Sequence, residues 1–169
     1  DYLFFLDADE VITPALQAEI EAAVRSNARA VWKIHWSVVA YGKELKHFLS
    51  QSSLERMFRR DMLVEYRGVV HEEPILVDAE KGAPRHVFHA KLLHYSRETV
   101  RGSLEKLTQY SMLGAAKRAA AGKRGGVVRG LASGLAIFIR LYIFRLGFTG
   151  GGAGFLFCFF IALECFFRY

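Results

Sequence analysis

At 169 residues the chain is long enough for one domain with a real core. Cys158 and Cys165 share one apolar segment and lack metal-ligand spacing, which excludes a cysteine metal site and reads as reduced thiols in a cytosolic protein. The net charge of +6 is unevenly spread: residues 1–100 hold 13 basic against 15 acidic residues, and residues 101–169 hold 10 against 2. Those later basic residues sit among apolar ones rather than stacking-competent positions, so no nucleic-acid partner is expected.

The chain opens on "DYLFFLDADEVITP", in which residues 2–6 read as a fully buried strand. A strand with no earlier partner leads to the expectation of a piece lacking upstream strands, and no signal peptide is expected. Thr13 is a plausible N-cap and Pro14 takes the first helical position of a helix running to about Asn27. "AVWKIHWSVVAY" (30–41) reads as a strand, Gly42 as a turn, and residues 54–77 as two or three short strands punctuated by Gly68 and Pro74.

"AKLLHYS" (90–96) is a further short strand, after which Ser96 can cap a helix from Arg97 to about Ala121, with Leu104, Leu107, Tyr110, Ser111 and Leu113 inside. "AGKRGG" breaks it, and a second helical stretch covers 127–146. "GFTGGGAG" (147–154) reads as a flexible hinge before the apolar close. The organisation expected is therefore a chemically equipped front over 1–96, a long helix and linker over 97–126, and a basic apolar tail over 127–169.

Chemistry concentrates at four places. Asp7, Asp9 and Glu10 converge at a strand's tip, where they repel one another and lose hydration unless a cation neutralises them. Ligands of open α/β sheets gather at the carboxyl ends of strands. Mg²⁺ or Mn²⁺ would suit, since such ions use one or two carboxylates and share the remaining shell with substrate phosphates. "VVHEEP" (69–74) offers His71 as a metal ligand or phosphate contact and one of Glu72 and Glu73 as a general base, because adjacent strand residues face opposite ways. Arg56 in "ERMFRR" has the planar fork that suits a phosphate, and His94 ends a strand where sites are built.

In the tail, Glu164 interrupts the last apolar run, and Arg140 and Arg145 would be costly deep in a bilayer. Arg129 and Arg140 fall near one face of a helix, which favours a helix lying in the membrane surface. Two other readings compete. A haloacid-dehalogenase-type phosphatase would use Asp7 as nucleophile but needs a late acidic pair, and residues 101–169 hold only Glu105 and Glu164. A non-enzymatic membrane-surface adaptor would leave the acidic front merely solvated.

Taken in order, "LFFLDADEVITPAL", "RMFRR", "VVHEEP", "LLHYSRETV…KLTQYS" and "RLGFTGGGAGF" resemble family-2 glycosyltransferases, in particular the lipopolysaccharide-core glucosyltransferase-like branch. The resemblance implies an α/β fold of the GT-A, Rossmann-like type and a metal-dependent enzyme that inverts the anomeric carbon. It implies a nucleotide-sugar donor and a lipid-linked or saccharide acceptor of the cell envelope, and the basic apolar tail adds the expectation of a peripheral location on the cytoplasmic face of the membrane. Asp7 and Asp9 match the DxD-type pair that holds the diphosphate, with Asp9 the main ligand of Mn²⁺ or Mg²⁺. Glu72 matches the base, while Glu10, Glu73 and His94 are candidates for acceptor contact or support on the reading of the residues themselves. Two departures stand out: the chain begins at the DxD strand, and "FLSQSSLE" replaces the aromatic-Pro-Asp element before "RMFRR". This piece alone is expected to be inactive.

Overall fold

The computed structural model describes residues 1–49, 53–67, 73–77 and 81–169. It is mixed α/β with mixed sheets. The chain divides into two compact units, Asp1–Ser37 with Leu49–His94, and Val38–Phe48 with Tyr95–Tyr169.

The first unit is built on a four-stranded sheet in the order β1 (Tyr2–Phe4), β6 (Leu54–Arg59), β3 (Val31–Ile34), β9 (Arg85–Val87). Strand β6 runs antiparallel to β1 and β3, whereas β9 runs parallel to β3. Alternation along the strands sends neighbouring side chains to opposite faces, and here both faces are covered. Trp32, Ile34 and Met57 meet Leu16 and Ala23 of helix α1 (Pro14–Ser26), while Val31 and Phe58 meet Met62 and Leu76. Those last two residues belong to a 3-10 turn (Arg60–Met62) and to β8 (Glu73–Leu76), which pairs antiparallel with β7 (Leu63–Arg67).

Helix α1 starts as its sequence dictates. Thr13 Oγ1 accepts from the Leu16 amide at 3.2 Å, Pro14 fills the first turn, and Asn27 ends the helix in the left-handed region at φ 50°. Its Glu19 carboxylate accepts from the amides of His89 (2.8 Å) and Ala90 (2.9 Å), fixing the approach to β10 (Leu92–Arg97). Within this unit β10 pairs antiparallel with the two-residue β2 (Glu10–Val11), setting His94 opposite Glu10.

The opening strand differs from expectation. It ends at Phe4, its residues are only half-buried and Leu6 is exposed, because β1 is the edge of its sheet. The segment 30–41 is two strands, β3 and β4 (Trp36–Ala40), interrupted at His35.

In the second unit, β4 turns into β5 (Lys43–Leu49) through Tyr41 and Gly42, both at positive φ (49° and 75°), the geometry of a tight hairpin. Helix α2 (Val100–Ala120) is capped by Thr99, whose Oγ1 accepts from the Gly102 amide at 3.0 Å. The expected cap, Ser96, instead remains in β10, where its carbonyl accepts from Lys106 Nζ at 2.6 Å. The inner face of α2 also differs: Ser103 and Ser111 are buried, whereas Leu104, Tyr110 and Leu113 are exposed. Small side chains let α2 lie close to its neighbour, and the Gly114 position meets the Arg168 side chain.

Helix α3 (Val127–Ile139) runs into a π-turn (Arg140–Phe144), and a 3-10 turn (Gly147–Gly150) leads directly into α4 (Gly151–Phe167). The glycine run is thus no open hinge but a packed corner. A Cβ on Gly154 would lie 2.0 Å from the Gly147 carbonyl oxygen. Helices α3 and α4 meet through Gly130 and Gly134, where added Cβ atoms would stand 2.9 Å from Phe166 and 3.0 Å from the Ala162 carbonyl oxygen. Glu164 of α4 is paired with Arg97, whose guanidinium is buried and lies 5.7 Å from the centre of the Phe160 ring.

Candidate functional site

The acidic turn follows β1 directly. The Phe5 amide still donates to the Arg56 carbonyl at 2.8 Å, so the sheet holds the backbone up to the turn. The turn then closes on itself: the Glu10 amide donates to the Asp7 carbonyl at 3.1 Å, and the Asp7 amide donates to Glu10 Oε2 at 2.9 Å. Behind it lies Arg56 on β6, with its side chain 9% exposed. Its Nη2 donates to Asp7 Oδ2 at 2.8 Å and to Glu10 Oε1 at 3.0 Å.

One guanidinium serves its two carboxylates unequally. The hydrogen bond from Arg56 holds the Asp7 carboxyl below its ordinary range. Glu10, whose side chain is only 4% exposed, is pushed above its ordinary range, since loss of hydration outweighs its hydrogen bond from Asp7 and the attraction of Arg56. The repulsion expected of three clustered acids is thus relieved from within the fold for two of them.

Asp9 is the third, and it points elsewhere. Its Oδ2 lies 3.2 Å from His94 Nε2, and both side chains are partly open to solvent. The pairing of β2 with β10 creates this contact, and the edge of Trp36 meets the His94 ring at 6.3 Å between centres.

The structure therefore brings together Asp7, Asp9, Glu10, Arg56 and His94 and separates their roles. Arg56, expected at a phosphate, is bonded to two carboxylates. Glu10 is a buried support. Asp9 and His94 are the accessible donors. His71 and Glu72 lie outside the described residues, and Glu73 opens β8 opposite Arg67. Sequence reading did not join His94 to Asp9, because their contact spans 85 positions. The proximity of Trp36 had no signal in the sequence at all.

Among the described residues, no group of three or more His, Cys, Asp or Glu is arranged to hold a metal ion. A cation caged wholly by those residues does not fit. An Asp9 oxygen and a His94 nitrogen do fit a divalent ion that brings most of its own shell, as Mg²⁺ and Mn²⁺ do when they carry substrate phosphates. No known family model matches the chain.

In the second unit, two stretches, Val127–Phe144 and Gly147–Phe167, are long and apolar enough to cross a membrane by length and composition, with mean hydropathies of 1.7 and 1.8. The expected interruption at Glu164 carries less weight than its charge suggests, since Arg97 neutralises it.

Proposed function

We propose that the chain is part of an inverting, metal-dependent glycosyltransferase of GT-A type, moving a sugar from a nucleotide-sugar donor to a glycolipid or other cell-envelope acceptor. The observation that carries this reading is the division of labour in the acidic turn. Buried Arg56 locks Asp7 and Glu10, leaving Asp9 presented beside His94 in the turn just before β2. The resemblance of the ordered motifs to family-2 glycosyltransferases supports the reaction class.

In this reading Asp9 and His94 would hold Mn²⁺ or Mg²⁺, and Arg56 fixes Asp7 within the same turn. The ion, when bound, offsets charge on the leaving diphosphate. Glu72 takes the proton of the acceptor hydroxyl as that oxygen bonds to the anomeric carbon and the bond to diphosphate breaks on the opposite side. The exposed apolar residues of α3 and α4, with Arg129 and Arg140 among them, keep the enzyme on the cytoplasmic face of a membrane, near lipid-linked acceptors. Surface lodging rather than crossing is supported by α4's partners: it is bound through Arg97 and packs on α2, which carries Arg101, Glu105, Lys106, Lys117 and Arg118. Those charges would resist entry into lipid.

The test is Mn²⁺ titration of the full-length protein with a nucleoside diphosphate, followed by Trp36 fluorescence and by transfer activity. Asp9→Asn should abolish both metal responses while the fold persists. Unchanged Mn²⁺ binding in Asp9→Asn and in His94→Ala would refute the site.

A further inference from the structure

Within the second unit, a cleft of about 240 Å³ opens between β5 and the turn that starts α4. We propose that it binds the phosphate-bearing headgroup of an anionic phospholipid, an inference that rests on the membrane-surface reading above.

The charge of the cleft is the first argument. Lys43, Lys46 and His47 line it, and among the described residues no carboxylate pairs with any of them. Glu44 also lines it. The second argument is where Lys43 lies. Its Nζ stands 3.9 Å from the Cβ position of Gly151, the first residue of the 17-residue α4. That helix has no acidic residue in its first turn and no side-chain cap. An ammonium beside the positive end of a helix is a repulsive arrangement that an anion relieves.

Size and polarity select the anion. The volume lies below the roughly 300–1,000 Å³ of pockets that enclose whole drug-sized ligands, which suits a headgroup better than a nucleotide sugar. Beside the charged groups, Leu45, Phe48 and Leu146 supply apolar wall. Around this turn Ile143, Phe144 and Phe148 are exposed, with Phe144 77% accessible. A free inorganic anion would use the cations and leave those aromatic and aliphatic groups in water. A lipid would use both, with its phosphate in the cleft and its chains along the exposed apolar side chains.

The experiment is hydrogen–deuterium exchange of the full-length protein with vesicles of phosphatidylcholine alone and of phosphatidylcholine mixed with phosphatidylglycerol. The amides of Gly147–Gly152 should gain protection only with the anionic vesicles. Lys43→Gln/Lys46→Gln should lose that protection and bind anionic vesicles about thirtyfold more weakly, the factor for two basic residues at such a surface. The same variant should keep its binding to neutral vesicles, and Lys43→Arg/Lys46→Arg should behave as the native chain. Equal protection by inorganic phosphate without vesicles would overturn the lipid assignment. Vesicle binding without headgroup-dependent protection would overturn the cleft alone, and absence of any vesicle binding would overturn the surface reading with it.

Discussion

Replacing Arg56 by Met keeps the stem's bulk and removes the charge that Glu10 depends on. In the native chain Glu10 is almost fully buried and bonded to Arg56 at 3.0 Å. Deprived of its partner, Glu10 would hold a proton rather than stay ionised in a buried site. A glutamate titrates near about 4.3, so keeping the proton at neutral pH costs about 3.7 kcal/mol, at about 1.36 kcal/mol per pH unit. Asp7 is 62% exposed on its side chain and adds little. The expected loss is therefore about 3 kcal/mol near pH 7, inside the usual cost of breaking a buried pair. The sign of the pH dependence follows. A carboxyl whose folded pKa is raised contributes stability below its unfolded value and loses it as pH rises through the folded one. Asp7, held low by Arg56 in the native chain, contributes above its unfolded value and loses that contribution toward acid. The Glu10 term makes the variant's deficit largest near neutrality and small, under about 1 kcal/mol, at about pH 4.5, whereas the small Asp7 term is nearly the same at both. Urea unfolding at the two pH values measures it, and Arg56→Met/Glu10→Gln should recover most of the loss. An equal deficit at both pH values, or a double variant no more stable than the single one, would refute the reasoning.

Further outcomes follow from the same contacts. Glu72→Gln in the full-length protein should lower turnover by about 10²–10⁴-fold with donor binding nearly intact, and a comparable loss in Glu73→Gln alone would move the base to the other face of the strand. Gly154→Ala should destabilise the chain by about 1–3 kcal/mol, read as a lowered melting temperature, because its methyl would overlap the Gly147 carbonyl oxygen 2.0 Å away. Arg97→Met should cost about 3–5 kcal/mol by leaving Glu164 unpaired, whereas Arg97→Met/Glu164→Leu should regain most of it in thermal unfolding.

The local parts of the fold were legible because they are written locally. Thr13-Pro14 announces α1, and the run of acids from Asp7 to Glu10 announces a tight acidic turn. What escaped depends on distance along the chain or on size rather than polarity. Arg56 reaches Asp7 and Glu10 across 49 and 46 positions, so its role as their counterion could not be read from "ERMFRR". Apolar periodicity assigned the inner face of α2 to its leucines, yet Ser103, 2.7 Å from the Tyr41 hydroxyl, and Ser111 are buried there, and Gly114 meets the Arg168 side chain just past α4. Thr99 rather than Ser96 caps α2 because β10 continues to Arg97, whose carbonyl accepts from the Tyr41 amide at 2.6 Å. Glycine-rich sequence reads as freedom, whereas at Gly147 and Gly154 it permits close packing.

The contact of Gly130 and Gly134 with Phe166 and Ala162 has a bearing on surroundings as well as on shape. Association driven by expulsion of water weakens when the helices enter lipid, because acyl chains solvate apolar side chains as well as a protein core does. Close backbone approach through small residues relies instead on dispersion, which acts alike in either medium. On the membrane-surface reading proposed above, the α3–α4 pair would therefore move from water to a lipid interface without exchanging one set of internal contacts for another. Its two helices would arrive as a single preformed wedge, with the ordering cost met during folding rather than at the membrane.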